Sequence, residues 1–179
     1  MNVRTKIIGA TVLVLAICLG GTSVFMARLA EQRMVSAGSA SVVSIGSIAL
    51  QEVLSTMDKG HDYGIQRLLE NITATPYVMS ARIISTNGTV LHSGVPGEAG
   101  RTVPGFGPPG EGPMTSRETD TLVHLVPLKN QSECFSCHGA SAKHLGVIEL
   151  VYDISSGSRE VTSTRRFLLL SGILILVLV

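Results

Sequence analysis

The spacing of apolar residues along this chain changes character several times, and each change marks an element. Ile7 to Met26 is an uncharged, apolar run with the roughly 20 residues that a helix needs to cross a bilayer. From Ala27 to about Met57 the texture differs. Val42, Ile45, Ala49, Leu50, Val53, Leu54 and Met57 recur in steps of three and four, which places them on one face of a helix. The earlier part, SAGSASVVSIGS, is rich in small residues that let two helices approach closely. No proline interrupts the chain from Ile7 to Met57, so the pattern predicts one long rod. Gly60 is its expected stop signal. A second helix follows in YGIQRLLENI, with Ile65, Leu68, Leu69 and Ile72 on one side and Pro76 closing it.

Beyond Pro76 the period shortens. VMSARIISTNGTVLHSG holds two β-branched runs joined by Asn87-Gly88, a hairpin signal. Residues 94 to 113 are saturated with Gly and Pro and read as a long loop. DTLVHLVPLKN and HLGVIELVYDIS read as a third and a fourth strand, and a last helix is expected from about Ser155. The predicted fold is therefore α+β, with long N-terminal helices and an antiparallel sheet.

Charge refines the organisation. Arg4 and Lys6 precede the first apolar run and place residues 1–6 in the cytoplasm, although Arg28 and Arg33 on the far side oppose that bias. Cleavage as a signal peptide is disfavoured, because the run is long and no A-x-A-like site follows it. Cys18 lies inside the run with bulky Ile17 before it, so it reads as apolar filler rather than a lipid-attachment site. A second apolar run, residues 167–179, is too short to cross a membrane by itself. It is expected to be the start of a second span, continuing towards a cytoplasmic output. Between the two runs, residues 27–166 carry all 13 acidic residues and 12 of the 14 basic ones, because only Arg4 and Lys6 lie outside. The formal charge of that segment is thus −1. It has no basic patch and no interleaved aromatics, which argues against nucleic acid as a partner. No paired carboxylates or nucleophile constellation point to an enzyme.

The chemistry lies in SECFSCHGA, residues 132–140. Cys134 and Cys137 are three apart, on one face of a helical turn, and His138 follows at once. C-x-x-C-H is the attachment pattern of c-type haem: two thiols add to the vinyl groups and the histidine reaches the iron. A redox disulfide between the two cysteines does not call for the histidine, and a structural disulfide is the alternative in an oxidising compartment. A zinc site would need a fourth ligand, and only His144 is near in sequence. Haem c in bacteria is attached outside the cytoplasm, which agrees with an exported domain.

With MDKGHDYGIQRLLENI, RIISTNGTVLHSG, VPLKNQSECFSCHG and LGVIELVYDIS in that order between two apolar runs, the chain resembles periplasmic PAS-like sensor domains with one c-type haem. Such domains occur in bacterial chemoreceptors and sensor histidine kinases. The resemblance covers residues 27–166. It implies a PAS-like fold, a bacterial inner-membrane location with the sensor domain in the periplasm, and detection of redox state or a small gas such as NO or CO. It also implies a homodimer, with N-terminal helices exchanged between protomers in some members. The Gly/Pro-rich segment 94–113 departs from the family pattern.

The rival function is a membrane-anchored electron-transfer cytochrome. Small soluble cytochromes usually carry the motif early and a methionine ligand downstream, whereas here no methionine follows Met114. The candidates for a sixth iron ligand are Met57, His61, Met79, His92, Met114 and His124. Met79 reads as a core residue and Met114 as part of a loop. Met57 leads the set, because some members of the resembled family ligate iron through a methionine of this helix; His61 is its alternative. Lys129, Lys143 and Arg101 are candidate partners for the haem propionates, and His144 is expected on the proximal side or near the propionates.

Overall fold

The computed structural model describes residues 3–58 and 62–155. His61, the helix expected from about Ser155 and the apolar run at 167–179 fall outside the described residues, Ser155 itself excepted. The first helix, α1 (Val3–Asp58), is continuous from the apolar run through the amphipathic stripe. It contributes Val3–Ser36 to one compact unit and Ala37–Asp58 to a second, which extends to Ile154.

In the first unit the apolar side chains of α1 are open to their surroundings: Leu13 is 62% exposed, Ile17 64% and Phe25 65%. Within Lys6–Met57 the most apolar window has a mean hydropathy of 2.2. By length and composition this helix can cross a membrane, and exposed leucine and phenylalanine at such density are otherwise hard to keep in water.

The second unit is α+β. Helix α2 (Asp62–Thr73) is followed by strands β1 (Val78–Ser85), β2 (Val90–Ser93), β3 (Met114–Glu118), β4 (Thr121–Lys129) and β5 (His144–Asp153). They form one five-stranded sheet in the order β2-β1-β5-β4-β3. Every neighbouring pair is antiparallel. A long N-terminal helix with this sheet is compatible with a PAS-like fold.

The stripe read from the sequence is the one that packs. Val42, Ala49 and Val53 of α1 meet Ile65 and Leu69 of α2 over Ala81 and Ile83 of β1, Val126 and Leu128 of β4, and Ile148 and Leu150 of β5. Strand residues on that face alternate, as period-2 pleating requires. Gly46 allows the closest approach. A Cβ there would stand 2.6 Å from the His124 ring, so the helix lies directly over this histidine. His124 is 2% exposed, and its Nδ1 is 2.8 Å from Thr115 Oγ1 across the β3–β4 pair. Burial pushes its pKa down, with a hydrogen bond to the backbone of Met114 opposing in part.

The opposite face carries a clamp. Arg82 and Glu149 are cross-strand partners, and the guanidinium Nη2 lies 2.6 Å from the carboxylate. Glu98, from the Gly/Pro-rich segment, is 3.8 Å from the same guanidinium and accepts from Ser93 Oγ at 2.7 Å. That segment then runs beside β2, with Val90 N donating to Arg101 O at 2.8 Å. Its expected lack of strand structure holds apart from a single bridge, Thr89 to Thr102. The Asn87-Gly88 turn is also present, with Gly88 at φ 85.

Two expectations are corrected. Met114 opens strand β3 instead of lying in a loop, and it is 57% exposed. Met79 is not a core residue but 55% exposed, because the register of β1 against β5 shifts between Val78 and Ser80 and turns its side chain outward.

Candidate haem-attachment cleft

The segment between β4 and β5 hangs from a closed neck. Asn130 N donates to Lys143 O at 3.0 Å. The Asn130 side-chain amide donates to Gly139 O at 2.7 Å and to Ala142 O at 2.8 Å. One asparagine thus fixes both ends of the excursion, and its Oδ1 is buried without a partner. Inside the neck lie a 3-10 turn, Ser132–Cys134, and a single helical turn, α3 (Phe135–His138). Gly139 ends the turn at φ 69, in the left-handed region that favours glycine. Its N–H returns to Phe135 O at 3.0 Å.

This folding places both cysteines on consecutive helical turns. Cys134 is half-buried and Cys137 exposed, and both are free thiols. With His138 they line an open cleft of about 260 Å³, completed by Gln131, Glu133 and Ser136 from the same segment and by Leu54 and Met57 of α1. Leu54 and Met57 are three apart and so share a helix face. Met57 also packs against the edge of the core. Among the described residues no three His, Cys, Asp or Glu side chains converge as a bare metal ion would require. Cys134, Cys137 and His138 therefore share a cleft without forming a compact tetrahedral set.

The thiols are unpaired and reachable, the histidine adjoins them in the turn, and the opposing wall is apolar apart from a thioether, which is a competent soft ligand. Of the candidates for a sixth ligand, Met57 is in the cleft, while Met79, His92, Met114 and His124 do not line it. His124 is instead packed under α1. Lys143 is engaged with Glu111, Nζ to Oε1 2.5 Å. That contact and the Lys143 charge hold the Glu111 carboxyl below its ordinary range, with smaller help from His144 and Lys129. His144 starts β5 opposite Lys129, and its Nε2 is buried without a partner.

The sequence reading missed Asn130, Leu54, Gln131 and Glu133. Leu54 was legible as part of the same stripe as Met57. Asn130 gives no local signal, since its partners lie across the excursion. Asn130→Ala is expected to cost about 1–3 kcal/mol through the two lost hydrogen bonds and to speed amide exchange from Gly139 to Lys143. Asn130→Asp should not rescue it, because a carboxylate cannot donate. Hydrogen exchange by mass spectrometry reads both.

The chain matches no known family model, and no curated protein is significantly similar to it.

Proposed function

We propose that this chain is a membrane-anchored bacterial sensor whose domain carries one covalent c-type haem in the periplasm and responds to redox state or to a small gas such as NO or CO. The observation that carries the reading is the shared cleft: the C-x-x-C-H turn and Met57 of the membrane-directed helix line one space. When bound, haem supplies an iron whose oxidation state and gas affinity depend on its surroundings.

The roles then follow from the chain. Cys134 and Cys137 would hold the group, and His138, fixed between the second thiol and Gly139, would bind its iron. Met57 is the candidate distal ligand, with His61 as its alternative. Asn130 and Gly139 set the shape of the turn. Leu54 adds apolar surface on the α1 side. Because Met57 belongs to α1, any change in what Met57 contacts alters the restraint on that helix. A signal shifts such an equilibrium only through unequal affinity for its two states, and a displaceable thioether provides one. The small-residue stretch at the start of the second unit supports a parallel homodimer, with or without exchanged helices.

The test is an optical spectrum of the full chain, exported together with cytochrome maturation machinery and purified in detergent. The expected result is haem that resists acid-acetone extraction and a reduced spectrum that shifts with NO or CO. Extractable haem refutes attachment. A spectrum unmoved by either gas refutes gas sensing and leaves redox state as the signal.

A further inference from the structure

On the haem reading, the lining of the cleft decides which ligands it admits. Among the described residues helix α1 offers it Leu54 and Met57, hydrocarbon and thioether without a donor for an anion. The facing segment contributes Glu133, and among the described residues no Lys or Arg lines the cleft. Lys143, the basic residue nearest in sequence after the motif, is paired with Glu111. The Glu133 carboxylate accepts from Ser132 Oγ at 3.0 Å, a neutral donor that leaves its charge uncompensated.

We propose that Glu133 is a specificity-determining residue that makes the cleft favour uncharged small ligands over anions of similar size. The physical basis is like-charge repulsion at short range. At about 5 Å in a water-like medium, the repulsion between unit charges lowers anion affinity roughly fourfold. Ions in solution screen such exposed charges, and 1 M salt cuts the range to about 3 Å. An uncharged diatomic of the same dimensions feels neither effect. Glu133 is exposed and lies outside the core cluster, so its replacement is expected to leave the fold intact.

The experiment uses the full haem-loaded chain in detergent, with azide and carbon monoxide as probes read by absorbance titration. Glu133→Gln is expected to tighten azide binding about fourfold at low salt and to leave carbon monoxide affinity unchanged. The gain should fade at about 1 M salt. Glu133→Lys should increase it further. Unchanged azide affinity in both variants, or parallel shifts for azide and carbon monoxide, overturns the inference. A chain without covalent haem overturns the underlying reading instead, and shows itself before any ligand is added.

Discussion

Replacing Cys134 and Cys137 together by alanine is expected to abolish covalent haem completely. The full chain, exported with the maturation machinery, should show a haem-stained band on a denaturing gel, and the double variant none. Each single variant should retain one attachment and a red-shifted absorption band, because one vinyl group stays conjugated with the ring. The structure makes this a test of chemistry and not of folding. Cys137 is exposed and Cys134 only half-buried, and neither belongs to the core cluster. Surface substitutions of this kind change stability by about 0.5 kcal/mol or less. Circular dichroism and thermal melting of the apo forms should therefore coincide. Covalent haem in the double variant would sink the attachment, and so would none in the unmutated chain.

The second large effect is expected at Met57. Met57→Ala should convert the reduced spectrum from low-spin to high-spin and raise carbon monoxide affinity at least tenfold, since no internal ligand then competes. Thioether sulfur is a soft ligand that favours ferrous over ferric iron. Oxidation should accordingly weaken the Met57 contact in the unmutated chain. Met57 is partly buried against the core, so truncation to alanine also removes packing. Met57→Leu keeps the volume, with a cost usually below about 1.5 kcal/mol, and should give the same spectral change. If both variants remain low-spin with unaltered gas affinity, Met57 is a packing residue and His61→Ala is the next variant to compare.

What the sequence revealed depended on whether a residue's role was local. The α1 stripe, the Asn87-Gly88 turn and strands β1, β4 and β5 each carry a strong short-range pattern, and all are present. Strand β3 was invisible because its five residues, Met114–Glu118, are all exposed. An edge strand with no buried face has no period-2 alternation to read. Met79 was misplaced because a register shift is a property of two strands, and one strand's pattern does not show it. The site divides in the same way. Cys134, Cys137 and His138 announce themselves by spacing, whereas Leu54 showed only as one apolar residue of the stripe. Asn130 depends on carbonyls nine and twelve residues away, and Glu133 shares a cleft with Leu54 and Met57 that its own surroundings in the sequence do not show.

The neck at Asn130 and Lys143 has a consequence for how such a domain changes over generations. β4 and β5 pair from Thr121–Asp153 up to Lys129–His144, so the sheet is already closed when the chain leaves it. Everything between is joined to the scaffold at one pinch point. The motif-bearing segment is in effect a cassette, able to lengthen, shorten or exchange its chemistry without resetting the strand register beneath it. The scaffold needs to contribute only a helix end beside it. Gain or loss of a cofactor in this architecture is then a local edit, and kindred scaffolds can present different chemistry at the same position while the sheet and its long helix stay the same.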